Sequence, residues 1–176
     1  MKALSAWIWI ISSVLFGILV LTIGAKLIIG QLQAQQKHNI LDQADVLYRK
    51  MNDVCSKGGI GELYSLEIGV PEITKAIYVC NETDEYPPDK ISEYISKSKF
   101  AIGSRLCLQF FDDNIPKCLS LPCQTKMTYM GTPSMKSDLP STIARILGTN
   151  PVYKYRVFIN KTDDMFLTVK ATHIIK

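Results

Sequence analysis

Hydrophobic and polar positions divide this chain into three stretches with different periods. From Ala3 to Ala25 no residue is charged, and apolar side chains surround any helix the stretch forms. Crossing a bilayer takes about 20 apolar residues at about 1.5 Å rise each, so this run predicts a spanning helix. A secretory signal has a shorter apolar core of about 7–15 residues, with a small-residue cleavage site behind it. Here the run is longer and no A-x-A site follows. Lys26 stands near one end, where a lysine snorkels to the headgroups, and Trp7 and Trp9 near the other, where indoles favour the interface.

Beyond Gly30 the period becomes that of an amphipathic helix. Ile40, Ala44, Leu47, Met51 and Val54 are spaced by 4, 3, 4 and 3 positions, and Leu41 and Tyr48 widen the same face. No proline occurs before Pro71, and Gly58-Gly59 supplies a stop. Two arrangements fit. Span and stalk form one helix running to about Val54, or the chain breaks at Gly30 and a separate helix begins the head. A lone glycine costs a helix only about 1 kcal/mol against alanine, which favours continuity. Inside the span, Ala6, Ser13, Gly17 and Gly24 are spaced by 7, 4 and 7. At about 100° per residue they share one narrow face, roughly opposite the apolar face of the stalk. Small residues on one face allow close helix–helix approach in a membrane, although glycine and serine are frequent in membrane helices generally.

From Leu63 onward the period falls to two. Tyr64, Leu66, Ile68 and Val70 alternate with polar or small residues, and ITKAIYVC, SRLCLQFF and QTKMTYM read as further strands. DKISEYISKSK and LPSTIARILG read as short helices. VYKYRVFI and MFLTVKAT flank NKTDD, which predicts a closing hairpin with strands near 152–159 and 165–172 and an exposed loop at 160–164, Asn160 at its tip. The fold class is therefore α+β: a long N-terminal hydrophobic helix, span plus stalk, followed by an antiparallel β-rich head. The divisions are 1–30 (membrane or assembly helix), 31–57 (amphipathic stalk) and 58–176 (head).

Charge narrows the partners. Residues 56–176 carry 15 Lys/Arg against 13 Asp/Glu with no basic stripe, which argues against nucleic acid. All five cysteines, Cys55, Cys80, Cys107, Cys118 and Cys123, lie beyond the apolar run, as do the sequons at Asn81 and Asn160. Disulfides persist in oxidising compartments and sequons are acceptors in exported proteins, so the head is expected outside. The lysines, Lys2 before the span against Lys26 and Lys37 after it, lean slightly the other way under the positive-inside rule.

The sequence offers little chemistry. It contains no H-E-x-x-H, G-x-S-x-G or P-loop pattern, and Gly59-Ile-Gly61 lacks the rest of a dinucleotide fingerprint. His38 among stalk polar residues reads as solvated, and His173 is the one histidine in the head available to activate a cysteine. Cys118-x4-Cys123 with Cys107 is looser than zinc sites prefer, and disulfides are the better reading outside the cell. Two bridges and one odd cysteine can form in fifteen ways. Asp112-Asp113-Asn114 and Asp163-Asp164 offer oxygens to calcium but read more simply as turns, and Tyr153, Tyr155 and Phe158 read as core packing. No catalytic residue, cofactor or metal site is expected.

Lys2-Ala3-Leu4-Ser5, followed at once by the apolar run, resembles the processing site of archaeal type IV pilin-like precursors with class III signal peptides. The resemblance implies a cut between Ala3 and Leu4 on the cytoplasmic side, leaving the apolar segment on the mature subunit. The glutamate found at the fifth mature position of many bacterial type IV pilins is absent, and Ile8 stands there. The likeness covers residues 1–55 and does not extend to the head. It implies a cell-surface filament subunit, with lipid and copies of itself or related subunits as partners and surface adhesion by the head. The alternative is a single-pass anchored extracellular binding domain that never polymerises. A membrane-anchored hydrolase or thiol enzyme would need a catalytic group that the sequence does not display.

Overall fold

A computed structural model describes residues 2–84, 90–113, 115–132 and 152–174, with side chains described for Trp7 and from Trp9 onward. One helix, α1 (Lys2–Lys57), runs through both the span and the stalk without interruption. Its 56 residues measure about 84 Å at 1.5 Å each. Gly30 does not break it. The helix stops where the Gly58 N–H bonds the Val54 carbonyl at 3.0 Å. A Cβ on Gly58 would lie 2.6 Å from that carbonyl oxygen, so a glycine is needed there.

The strands are β1 (Leu63–Pro71), β2 (Thr74–Cys80), β3 (Phe100–Phe110), β4 (Lys117–Thr128), β5 (Val152–Asp163) and β6 (Phe166–His173), with the short helix α2 (Ile91–Ser96) between β2 and β3. They form one sheet in the order β1-β5-β6-β4-β3-β2. Every ladder is antiparallel except β4–β6, which is parallel because β5 intervenes in sequence between those two neighbours. The LPSTIARILG stretch lies outside the described residues.

The stalk half of α1 packs on one face of the sheet. Ile40, Leu47, Met51 and Val54 are essentially inaccessible and Ala44 nearly so, as the 4-3-4-3 spacing predicts. They join Ile68, Val70, Ile77, Phe110, Met127, Val157, Ile159, Leu167 and Val169 in the main core. Full burial of such side chains is worth about 1.5–3 kcal/mol each, which holds the head to the stalk. The opposite face is covered at one end by α2, where Ile91 packs with Ala76, Tyr78 and Cys107.

Three sequence expectations change. The closing hairpin is longer than predicted: β5 continues to Asp163 and the turn is Asp164-Met165. Asn160 is therefore not at a loop tip but inside an interior strand, paired with Leu63 on one side and Thr168 on the other. Lys161 is buried, because its Nζ donates to the Cys55 carbonyl 3.1 Å away. That carbonyl belongs to the last turn of α1, which has no intrahelical partner to offer it and which favours a cation. β4 also begins earlier than QTKMTYM, taking in Lys117–Pro122. Pro122 falls in the irregular step between the Arg105–Ser120 and Gly103–Thr125 pairs, where a missing N–H disturbs no regular ladder.

Candidate functional site

Two features of this architecture stand apart from packing: the projecting half of α1 and a cluster of sulfur atoms on the head. Of the projecting half, Trp7, Trp9, Leu15, Phe16, Leu21, Leu27 and Ile28 are all exposed, Trp9 by 77% and Leu21 by 74%. Among the described residues, none of the head covers this half. The segment is long and apolar enough to cross a membrane, and none of its most apolar window is buried within the chain. So large an apolar surface requires lipid or other protein around it.

The candidate processing residues Lys2, Ala3 and Leu4 lie in the first turn of α1. Of the proposed ridge, the Ala6 side chain lies outside the described residues, and Ser13 Oγ donates to the Ile10 carbonyl at 2.8 Å. A Cβ built on Gly17 or Gly24 would meet nothing within 4 Å, so nothing inside the chain requires glycine there. The unbroken helix carries the wheel phase from ridge to stalk, leaving the ridge about 160° from the buried Ile40–Val54 face.

Helix and head are joined at both ends of their contact. Near the top, Lys37 Nζ lies 2.6 Å from Asp112 and 3.9 Å from Asp113, with its ammonium 5.2 Å from the centre of the Phe110 ring. The hydrogen bond to Asp112 raises the Lys37 pKa, and the same bond lowers that of Asp112. Both carboxylates face the Lys37 ammonium; Asn114 lies outside the described residues. At the foot, Cys55 is bridged to Cys123 of β4, beside the Lys161 bond. Glu62 trims the exit from the helix by accepting from Gly59 N–H at 3.0 Å and Tyr64 O–H at 2.8 Å, and the tyrosine bond lowers its pKa.

The remaining cysteines meet on the sheet. Cys107 of β3 lies directly opposite Cys118 of β4 and is bridged to it. Cys80 of β2 pairs with Arg105, two residues before Cys107, and its Sγ comes within 3.1 Å of Cys107 Sγ. All three sulfurs lie within 4.8 Å of one another. Cys80 is the free thiol, half-buried, and burial raises its pKa, with Asp84 adding to the shift and Arg105 opposing it. The sequence named all five cysteines as bridge candidates, and their pairing follows from the β2–β3–β4 register, which no local spacing encodes.

The other candidates are placed as follows. His38 is exposed, with Nδ1 3.5 Å from Asp42. His173 lies tilted against Tyr153 and Tyr155 at 5.7 and 5.3 Å between ring centres, and Tyr155 donates to the Gly131 carbonyl at 2.7 Å. Tyr153 and Tyr155 pack with the core as expected, while Phe158, an odd number of positions away, occupies the other face. Asn81 follows β2 in a turn, its N–H bonded to Asp84 at 2.6 Å. Asn160 Oδ1 is buried and finds no donor among the described residues. Compared with protein-family models, with curated proteins and with solved structures, the chain matches none.

Proposed function

We propose that this chain is a pilin-like structural subunit of a cell-surface filament. Its apolar N-terminal helix is the assembly element and its β-rich head forms the outer surface, where adhesion takes place. The observation that carries this reading is the unbroken passage of α1 from an exposed apolar half into a buried stalk half. A head fixed to so long a helix is held in register with whatever that helix bundles against. Before assembly the helix spans the cell membrane with the head outside. A cut between Ala3 and Leu4 leaves the whole apolar segment on the mature protein. The small-residue ridge then packs against sister helices while the stalk's apolar face stays on the head, since the two point in nearly opposite directions.

The test is the Gly17→Leu/Gly24→Leu double variant. Both positions have open space around them in the single chain, so leucine fits without disturbing the subunit. Leucine is also apolar and a better helix former than glycine, so membrane insertion survives. The proposal requires that monomer and insertion persist while filaments are lost or shortened. Assembly equal to that of the parent would leave the helix as an anchor and favour a single-pass extracellular binding domain.

A further inference from the structure

We propose that Cys80, Cys107 and Cys118 form a thiol–disulfide exchange site, in which the bridge to Cys107 passes from Cys118 to Cys80 and leaves a reactive thiol on the head surface. The central sulfur, on β3, is inaccessible, and the two candidates for its partner come from the strands on either side, β2 and β4. Cys80 Sγ stands 3.1 Å from Cys107 Sγ, closer than ordinary contact, so the attacking atom needs almost no approach. Binding a metal ion would need three thiolates, which the Cys107–Cys118 bond precludes.

The step balances without an outside oxidant. Cys80 gives its proton to solvent, and its thiolate attacks Cys107 Sγ. A Cys80–Cys107 bond forms as the Cys107–Cys118 bond breaks, and Cys118 leaves as a thiolate that takes a proton from water. One disulfide and one thiol remain. What changes is where the thiol lies. Cys80 is half-buried against the small cluster that Tyr129 also packs on, with Asp84 and Arg105 close enough to act on its charge, the last paired with Glu82 at 2.9 Å. Cys118 is exposed, beside an apolar groove lined by Leu41, Leu108, Lys117 and Leu119. The freed thiol can therefore attack an external disulfide, whereas Cys80 is poorly placed to do so. Because burial disfavours the Cys80 thiolate, the exchange quickens as pH rises.

The full chain in detergent is held at pH 8.5, quenched in acid, alkylated with N-ethylmaleimide and mapped by non-reducing peptide mass spectrometry. A fraction of the molecules should carry the label on Cys118 together with a Cys80–Cys107 bridge, and Cys80→Ser should abolish that label. Label confined to Cys80 at every incubation time, or Cys118 labelling unchanged in Cys80→Ser, overturns the proposal. A Cys118→Ser variant removes the competing bridge: given oxidised glutathione, which takes up the two hydrogens as it is reduced, Cys80 and Cys107 should then join, making the protein two hydrogens lighter than the dithiol. Two free thiols there, in protein whose Cys55–Cys123 bridge has formed, would equally overturn it.

Discussion

Cys55 and Cys123 tie the last turn of α1 to β4, and replacing both with alanine should destabilise the head more than any other cysteine change. The bridge spans a sequence separation of 68 residues, against 11 for Cys107–Cys118. If a bridge acts by restricting the unfolded chain, these separations correspond to about 4.4 and about 2.8 kcal/mol. The difference, about 1.6 kcal/mol, is widened by packing, because Cys55 and Cys123 are both buried whereas Cys118 is exposed. Urea unfolding of the full chain in detergent, followed by the far-ultraviolet circular dichroism of the sheet, measures it. With a slope of about 1.5 kcal/mol per molar, the C55A/C123A midpoint should fall about 1 M below that of C107A/C118A. Equal midpoints, or the reverse order, would refute the idea that the helix–sheet clamp is the principal covalent contribution.

Three further outcomes are expected. Lys161→Met should lower stability by about 1–3 kcal/mol by leaving the Cys55 carbonyl without its buried donor, read as a fall in thermal midpoint, while exposed Lys170→Met should change little. Lys37→Ala should cost less than about 1 kcal/mol at neutral pH, since the Asp112 side chain is largely exposed. Asp112 has a depressed pKa, so its contribution is present above the unfolded carboxyl value and is lost as pH falls through the folded one; the parent–variant difference in urea midpoint should shrink as pH falls below the ordinary carboxylate range, leaving only what the Lys37–Phe110 contact contributes. Glycopeptide mapping of native protein should find any glycan on Asn81 and none on Asn160, whose side-chain oxygen is buried within the sheet.

The stalk face was legible because it repeats: one helical period placed Ile40, Ala44, Leu47, Met51 and Val54 correctly without any knowledge of what they pack against. The alternation of Tyr153, Tyr155, Val157 and Ile159 was legible for the same reason. What escaped depends on distant partners. NKTDD reads as a polar loop because nothing nearby says that Lys161 will meet a helix-end carbonyl 106 positions earlier in the chain. Lys117–Pro122 carries a proline, which argues against a strand until the irregular step in its pairing with β3 is seen. The sulfur cluster was invisible as a cluster, since Cys80, Cys107 and Cys118 are brought together by strand register alone.

Whether the apolar helix is kept and used for assembly can be read from N-terminal sequencing of sedimented native protein. Assembly through a retained helix requires filaments in the pellet whose subunits begin at Leu4. Subunits that keep Met1 and remain as discrete detergent-bound particles would contradict it.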